Sequence, residues 1–412
     1  MNSDHVETPA APSHLSHTSV ESEIDESLVA RARALAPIIR QHAETTERER
    51  RLARPVLQAM RDAGLFRMFT PRTLGGLETD PITAARVAEE IASVDSAAGW
   101  ALQAGNTGSW WAGHFPESGV AELYAGGPDL IMAASFAPPH RAESVPGGYR
   151  FSGRGALAST IHDSPWVLMT GIVFDGDQPR TTPFGPMMVA LALRTSEMRI
   201  IDTWQSLGMR GTDSNDVAAD GVFVPEARSF IVAPAYEPAP QFGGPLYRLP
   251  ALASADVVIA PVALAIARSA ITAIRDIADR KTPLASTRTI RHRSAVQFAL
   301  ADAEAQLRAA RLLFYEAIAT AWQRALANQP ATLVERADLM LASAHAVRAS
   351  AHVADLMHRM GGTNGIYERN HLERHFRDAQ TVRHHGFLSE ARLETVGQVY
   401  LGVEPEFGFV AF

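Results

Sequence analysis

The chain changes its sequence pattern twice, and the order of the three resulting regions limits the folds that it can adopt. Residues 25–128 carry apolar side chains at helical spacing. Residues 129–235 hold short apolar runs between turn signals, as in a small all-β domain. Residues 236–412 begin as a Pro- and Gly-rich linker and continue as an Ala-rich helical region. This segregated order predicts an α+β fold and argues against alternating βαβ units. Five segments of the middle region are predicted as strands: 147–153, 167–173, 187–191, 199–202 and 218–224.

Composition excludes several classes of protein. The 412 residues include 0 cysteines, which excludes disulfides, thiolate catalysis and Cys-ligated metal sites. The formal net charge is -7 and no long basic run occurs, so nucleic acid is not an expected partner. No apolar run approaches the ~18 residues of a membrane span, and the first residues do not form a secretory signal. We therefore expect a cytoplasmic protein that does not bind membranes, with a polar, disordered tail over residues 1–24.

Three short motifs follow one another near the C-terminus. Residues 361–367 read GGTNGIY, residues 373–379 read ERHFRDA, and residues 384–386 read HHG. In this order and spacing they resemble the C-terminal signature of the acyl-CoA dehydrogenase superfamily, and the resemblance extends over about residues 25–412. It implies that the three regions are an N-terminal helical domain, a central β-barrel domain and a C-terminal four-helix bundle.

The position of the usual catalytic base is vacant. In many dehydrogenases of the superfamily a glutamate follows the Arg-Asp-Ala, and counting without gaps places Gly386 there. Some relatives take the glutamate from the first bundle helix, but residues 251–255 contain none. Asp256 and Glu390 are nearby acids that fall out of register. A dehydrogenase needs a carboxylate to remove the α-proton of an acyl thioester, so the two vacancies weaken that function.

A histidine pair stands just ahead of this vacancy. Flavin monooxygenases built on the same fold carry a histidine eight residues after the Arg of Arg-Asp-Ala, which is His385 here. An imidazole whose pKa is near neutrality can relay a proton to a flavin C4a-hydroperoxide or deprotonate a phenol. An isolated histidine pair more often caps a helix or binds water. In this register the resemblance implies that His385 is catalytic and that His384 lies at the flavin, although which of the two side chains faces the flavin stays open.

The resemblance also implies which residues of the middle region hold a flavin. Residues 152–160 read SGRGALAST and are similar to a segment that delivers a small hydroxyl residue to the flavin N5 edge. By position that residue is Ser159, to which the resemblance gives a catalytic role as well. Residues 207–217 read LGMRGTDSNDV and are similar to the Gly-x-Arg-Gly-Thr stretch of the superfamily. Ordinary strand ends and β-turns are the alternatives at both places. The cofactor-binding residues implied here are Ser159, Thr160, Arg210, Gly211 and Thr212.

The helical C-terminal region carries a second set of implied flavin ligands. Arg280 stands where the superfamily has an arginine that reaches a flavin phosphate across a subunit interface, and an Arg fork suits phosphate. Gly361 and Gly362 match a turn that approaches the cofactor of a neighbouring subunit. Arg291 and Arg293 are close competitors for this role, and the further alternative for Arg280 is a solvated helix face. Sites shared between subunits imply a homo-oligomer, and a tetramer is expected.

An aromatic helix is the implied substrate pocket. Trp100, Asn106, Trp110 and His114 lie along a segment that resembles the pocket-lining helix of these monooxygenases, and His114 is a further catalytic candidate. Aromatic rings suit a flat aromatic substrate, but an aromatic stripe at helical spacing is more often core. Trp204 is predicted either to cover a ring or to fill the core. The histidine spacing gives no metal site.

The predicted function is therefore oxygenation of a small aromatic molecule. The resemblance implies a two-component flavin-dependent monooxygenase that receives reduced flavin, FADH2 or FMNH2, from a separate NAD(P)H:flavin reductase and uses O2 as co-substrate. Residues 381–387 and 395–400 look most like the indole and indole-3-acetate oxygenases, so the substrate is expected to be indole-type or phenolic. The alternatives are an acyl-CoA dehydrogenase with a relocated base and a non-catalytic flavin-binding helical scaffold.

Overall fold

The computed structural model describes residues 24–182, 185–233, 238–250, 253–406 and 410. The predicted tail lies outside the described residues, apart from its last residue, Ile24. Within the described part of the chain, none of the helices has the length and apolar character that crossing a bilayer requires.

Six α-helices form the N-terminal region. The first, fourth and fifth of them begin after Asp25, Asp80 and Asp95, whose side chains accept hydrogen bonds from free backbone N–H groups of the first turn. Apolar faces of these helices pack into one large core that continues into the C-terminal helices. The helices are α1 (Glu26–Ala34), α2 (Ala36–Glu49), α3 (Arg54–Asp62), α4 (Pro81–Val94), α5 (Ser96–Ala112) and α6 (Glu117–Leu123).

Strands occupy the middle region. Eight of them form one mixed sheet in the order β10-β7-β3-β1-β2-β9-β8, with β4 paired to β3, and β5 and β6 pair separately. Only the β1–β3 pair is parallel among the described pairs. The strands are β1 (Met132–Val145), β2 (Gly148–Ala158), β3 (Trp166–Asp175), β4 (Gln178–Pro179), β5 (Thr181–Thr182), β6 (Gly185–Pro186), β7 (Met188–Arg194), β8 (Arg199–Ile201), β9 (Asn215–Pro225) and β10 (Ser229–Ile231).

The sheet wraps around a core of its own. Side chains from one face of β1, β2, β3, β7 and β9 meet in a single cluster that includes Phe151, Met169 and Leu191. Strands β7 and β9 come into contact although they are not neighbours in the hydrogen-bonding order. A flat sheet keeps such strands apart, so this contact requires strong curvature.

Each of the five predicted strands lies on an observed strand, but the longest strand was not predicted. Strand β1 contains Pro138 and Pro139, and proline inside a run is typical of an edge or a non-strand segment. The pairing of β1 with β3 shifts its register between Ser135 and His140, which spans the two prolines. The irregularity lets an interior strand tolerate residues that cannot donate to the ladder.

Five α-helices form the C-terminal region. Helices α7, α8, α9 and α10 pack against one another, and α4 and α5 pack on α7. The predicted linker is not free of the core, because Phe242, Leu246 and Tyr247 are buried and the Tyr247 hydroxyl donates to the Phe69 carbonyl at 2.8 Å. The helices are α7 (Ala253–Arg280), α8 (Ser294–Leu326), α9 (Leu333–Gly361), α10 (Leu372–Val382) and α11 (Arg392–Tyr400).

Candidate active site

A cavity of about 570 Å³ opens where the sheet, the first turns of α5 and the end of α10 meet. Its size falls within the ~300–1,000 Å³ of ordinary small-molecule sites, and apolar side chains dominate its walls. The described residues that line it are Trp100, Ala134, Ser135, Phe136, Ala156, Leu157, Ser159, Trp204, Met209, Thr212, Ser214, Thr381, Val382, His384, His385, Gly386 and Phe387.

A chain of hydroxyl groups runs along one wall of the cavity. The indole Nε1 of Trp100 donates to the Ser159 Oγ at 3.1 Å. The Ser159 hydroxyl lies 2.8 Å from the Ser214 Oγ, which in turn lies 2.7 Å from the Thr212 Oγ1. Each hydroxyl both donates and accepts, so the chain can reorient to serve a donor or an acceptor on a ligand.

The backbone that presents Ser159 is strained on both sides. Leu157 and Thr160 have φ angles of 59° and 61°, in the left-handed region that residues with a Cβ rarely adopt. Neighbouring structure holds this shape, because the Thr160 amide donates to the Thr212 carbonyl at 2.9 Å. Strained residues of this kind concentrate at functional sites, and here they bracket the hydroxyl that reaches the cavity.

The Arg-Asp-Ala motif positions the loop that carries Met209 and Thr212. The buried carboxylate of Asp378 accepts from the Met209 amide at 2.6 Å and from the Ser96 hydroxyl. At Gly208 an added Cβ would lie 2.4 Å from the Arg377 backbone, so only glycine permits this approach of loop and helix. The motif that carries the resemblance to the superfamily therefore holds a wall of the cavity in place in this chain.

An ion-pair network extends the same support to α5. Arg374 donates to Asp95 at 2.8 Å and lies 3.4 Å from Glu47. The Asp95 side chain also accepts from the Ala98 amide and caps α5. Burial raises the pKa of Asp378, and the positive charge of Arg374 opposes that rise. Because Trp100 stands one turn into α5, this network fixes its ring relative to the cavity.

His385 faces the cavity as a neutral imidazole. It lies on the turn after α10, and its Nδ1 is buried with no hydrogen-bond partner among the described residues. Its ring lies 5.4 Å from the Trp100 ring, edge to face, and 5.8 Å from the Phe387 ring. Burial lowers the pKa of His385 to about 4. At pH 7 the ring is therefore neutral and can accept a hydrogen bond, in contrast to the imidazole with a pKa near neutrality that the resemblance suggested.

His384 and Gly386 line the same cavity on either side of His385. The His384 side chain is exposed, in contrast to its half-buried neighbour. A Cβ added at Gly386 would meet nothing within 4 Å, so the space of the missing base is open. Among the described lining residues there is no carboxylate.

The two acids that fell out of register do not fill this gap. Glu390 pairs with Arg383 at 2.7 Å and is absent from the described cavity lining. The side chain of Asp256 lies outside the described residues, as do residues 251–252 of the second possible base segment. The geometry of the described cavity thus offers a neutral imidazole in place of the carboxylate base.

The structure brings together five of the predicted site residues and separates others. Trp100, Ser159, Thr212, His384 and His385 line the cavity. Those outside the described lining are Asn106, Trp110, His114, Thr160, Arg210, Gly211, Arg280, Gly361 and Gly362. Their roles in binding remain predictions, and the contacts that each one makes are set out below.

Three of these residues support the cavity walls from behind. The Thr160 hydroxyl donates to the Ser159 carbonyl at 2.6 Å instead of pointing to the cavity. The Arg210 Nε donates to the Ser206 carbonyl at 3.0 Å on the exposed side of its loop. A Cβ at Gly211 would lie 2.3 Å from the Thr46 side chain, so this glycine permits close packing on α2.

Three others lie near the C-terminal end of α7, away from the described cavity lining. Arg280 is exposed, and its Nε donates to the Asp276 carbonyl at 3.0 Å. The neighbouring Lys281 donates its Nζ to the Gly361 carbonyl at 2.6 Å, and Gly362 adopts a φ of 52°. The sequence placed this arginine and this glycine pair about 80 residues apart, and the fold makes them neighbours.

The far part of α5 lies in or beside the core. Asn106 is fully buried and donates to the Leu65 and Leu102 carbonyls, both at 2.9 Å. Trp110 is buried and packs edge-on against Phe69 with ring centroids 5.5 Å apart. The spacing of these side chains is that of a helix face turned to the core, which was the alternative left open for the aromatic stripe.

His114 sits among aromatic rings beyond the cavity. Its ring centroid lies 5.0 Å from Trp111 and 4.9 Å from Phe230. Burial lowers the pKa of His114 to about 4. Trp111 in turn lies 5.4 Å from Phe136, which does line the cavity. His114 is therefore separated from the cavity by a layer of rings.

Several lining residues were not singled out from the sequence. Phe136 lies on β1, which the proline pair concealed, and it packs 6.1 Å from Phe387 across the cavity wall. Ser214 completes the hydroxyl chain, and its only signal in the sequence was its place two positions after Thr212. Trp204, in contrast, was singled out from the sequence, either to cover a ring or to fill the core; it lines the cavity, and its indole Nε1 donates to the Arg210 carbonyl at 3.0 Å.

The residues present suit a flat, polar-edged ring system such as a flavin. Aromatic walls from Trp100, Trp204 and Phe387 match a planar face, and the Ser159–Ser214–Thr212 chain matches a polar edge. The unpartnered Nδ1 of His385 leaves one polar group to be satisfied by a ligand. Within the described residues no group of three or more His, Asp or Glu side chains is arranged to hold a metal ion.

Two family descriptions match the chain. Residues 22–114 match "Acyl-CoA dehydrogenase, N-terminal domain" and residues 257–390 match "Acyl-CoA dehydrogenase, C-terminal domain". The indole-3-acetate monooxygenase of Pseudomonas putida is 32% identical over 364 residues, which cover 88% of this chain and 91% of that protein. The chain belongs to the acyl-CoA dehydrogenase superfamily, in its branch of flavin-dependent monooxygenases.

Two further relatives support this assignment. The oxygenase component of the FADH2-dependent resorcinol hydroxylase from Rhizobium sp. is 27% identical over 397 residues, covering 92% of this chain and 95% of its own. The structure of XiaF from Streptomyces sp. in complex with FADH2 and glycerol shares 25% identity and a TM-score of 0.84, covering 92% of this chain and 96% of its own. The predictions of the superfamily, of the fold and of a monooxygenase class are confirmed.

Proposed function

We propose that this enzyme is the oxygenase component of a two-component system that oxygenates a small indole-type or phenolic substrate. The observation that carries the proposal is a cavity with a neutral, unpartnered His385 and no carboxylate among its described lining residues. The relatives named for indole-3-acetate and resorcinol support an aromatic substrate. Ser159 and Thr212 would hold a reduced flavin, FADH2 or FMNH2, which would supply the two electrons needed to reduce one atom of O2 to water while the other atom enters the substrate.

His385 orients the substrate by accepting a hydrogen bond. As a neutral imidazole it accepts through one ring nitrogen, and a buried Nδ1 without a partner gains most from a donor. A phenol O–H or an indole N–H is such a donor. Accepting it draws electron density into the aromatic ring, which favours attack on an electrophilic oxygen atom.

The hydroxyl chain holds the cofactor side of the cavity. Trp100 lies between the two polar parts of the site, because its Nε1 donates to Ser159 while its ring packs against His385. The chain keeps a polar edge in one place, while the rings of Phe136 and Phe387 exclude water from the other side. Exclusion of water protects an activated oxygen species from release as peroxide.

A separate NAD(P)H:flavin reductase and a homotetramer complete the proposal. Two relatives are named as an oxygenase component and an oxygenase subunit, which supports a division of labour between two proteins. The exposed Arg280 beside the Gly361–Gly362 turn supports a flavin phosphate contact that is shared between subunits. Multi-angle light scattering of the wild-type protein and Arg280→Ala, with flavin titrations of both, tests this arrangement.

The function is tested by rapid mixing of the protein, loaded anaerobically with reduced FAD or FMN, against oxygenated buffer. We expect a transient absorption in the near-ultraviolet before oxidised flavin appears, and hydroxylated product when indole or resorcinol is present. Bleaching of the oxidised flavoprotein by an acyl-CoA would identify a dehydrogenase instead. Direct reoxidation without a transient or product for any aromatic would identify a non-catalytic flavin scaffold.

A further inference from the structure

The described lining of the cavity carries no permanent charge of either sign. It contains no Lys, Arg, Asp or Glu side chain, and its one enclosed titratable group, His385, is neutral at pH 7. The polar side chains that it offers are hydroxyls, the indole N–H groups of Trp100 and Trp204, and the imidazoles of His385 and the exposed His384. Such groups satisfy a hydrogen-bonding ligand, but they do not replace the hydration of a full charge.

The arginines that neighbour the lining residues in sequence are already paired with acids. Arg154 lies 2.8 Å from Asp216, and Arg383 lies 2.7 Å from Glu390. Arg210 lies 3.9 Å from Glu47. A substrate carboxylate would have to break one of these pairs or remain unpaired, and both are unfavourable.

One buried polar atom in the described cavity wall has no hydrogen-bond partner, while its polar neighbours do. The Trp100 indole N–H donates to the Ser159 hydroxyl, and the Ser135 hydroxyl donates to the Ala156 carbonyl at 2.7 Å. The Nδ1 of His385 has no partner among the described residues. A ligand with a single N–H or O–H on an otherwise apolar ring meets that requirement.

We propose that the substrate is an uncharged aromatic molecule with one ring N–H or phenolic O–H that donates to His385, and that a side-chain carboxylate is selected against. This inference rests on the proposed function and narrows its substrate class. It sets the chain apart from the relatives named for indole-3-acetate, whose substrate is an anion at neutral pH.

Matched ligands test the charge. Indole-3-acetamide and indole-3-acetate have nearly the same shape and differ in charge, so calorimetric titration of each into the protein with oxidised flavin, at pH 7.5, isolates the charge. We expect the amide to bind at least about tenfold tighter, since ~1.4 kcal/mol corresponds to tenfold. Equal or tighter binding of the acetate would overturn the proposal.

A designed cation provides the control. Leu157 lines the cavity, is 60% exposed and has a φ of 59°, so Leu157→Arg and its uncharged control Leu157→Gln keep a similar backbone demand. Leu157→Arg should bind the acetate more tightly, while Leu157→Gln should keep the wild-type preference for the amide. The same shift in both variants would show that charge is not what the site selects.

The donor requirement is tested with benzofuran-3-acetamide, in which a ring oxygen replaces the indole N–H. We expect the wild-type protein to bind benzofuran-3-acetamide about fivefold to tenfold more weakly than indole-3-acetamide, a difference of roughly one hydrogen bond. His385→Ala should bind the two ligands equally well. The same loss in both proteins would remove His385 from recognition. Preferential binding of the neutral amide without any oxygenated product would keep this inference and refute the proposed function.

Discussion

The two ends of α5 carry the same kinds of side chain and do different things. The first turns present Trp100 to the cavity, where it contacts Ser159 and His385. The last turns present Trp110 to the core and lead to His114, which lies among aromatic rings. A polar network through Asp95 holds the first end, and ring packing holds the second. The comparison teaches that an aromatic residue on a helix acquires its role from the elements that pack against it.

The largest expected difference between the two ends concerns stability. Trp110→Ala removes a fully buried ring and should lower the free energy of unfolding by about 3–5 kcal/mol. Trp100→Ala removes a half-buried ring at a cavity that already exists, so it should cost roughly half as much or less. Denaturant unfolding followed by circular dichroism measures both. Equal losses would show that Trp100 is as much a core residue as Trp110.

The two histidines separate catalysis from packing. His385→Ala should lower the yield of oxygenated product per flavin oxidised by about 100-fold and raise peroxide release, because the group that orients the substrate is lost. His114→Ala should change that yield by less than about twofold, because a layer of rings separates it from the cavity. Product and peroxide are quantified in the same single-turnover reaction. A large loss in His114→Ala would restore it as a catalytic residue.

Breaking the hydroxyl chain should have a smaller effect, on flavin binding, and it tests the role of the first end of α5. Ser159→Ala removes the acceptor of the Trp100 indole and should weaken flavin binding by about fivefold to tenfold, equivalent to roughly 1 kcal/mol. Ser135→Ala is the matched control, because that serine also lines the cavity but bonds to the Ala156 carbonyl. Fluorescence titration of flavin distinguishes the two. Equal weakening in both variants would argue against a specific role for the chain.

The last comparison is a pH dependence of stability that both ends share. Burial lowers the pKa of His114 and of His385 from 6.5 to about 4. Between these values the unfolded chain binds more protons than the folded chain, so the free energy of unfolding falls as the pH falls from 6.5 toward 4. His114→Gln should flatten this dependence without changing the pH profile of product yield. Denaturant midpoints across that range measure it, and an unchanged slope would contradict the burial of His114.

Much of the fold was accessible from the sequence because its signals are local. Helical spacing, turn residues and the Arg-Asp-Ala motif gave the order of elements, and each of the five predicted strands lies on an observed strand. Strand β1 was not predicted, because Pro138 and Pro139 interrupt the local pattern of a strand. In the structure a register shift against β3 lets the strand continue past them. The missed strand also hid Phe136, a wall of the cavity.

Counting along the motifs pointed to some residues of the described cavity, and only packing brought in the others. Counting along the C-terminal motifs placed His385 beside an open Gly386, and both line the cavity. Counting did not place the hydroxyl chain, because Ser159 and Ser214 are separated by 55 positions. Counting also could not give the pKa of His385, since burial is a property of the folded chain.

The sequence by itself determined the order of secondary structure, the superfamily and the vacancy at the usual base, because these depend on residue identity and spacing along the chain. The tertiary structure decided which end of α5 faces the cavity, what Asp378 holds in place and that no charge lines the described walls. These properties depend on contacts such as that of Ser96 with Asp378, which spans 282 positions. Contacts at that separation form when helices and sheet pack together, and no local pattern encodes them.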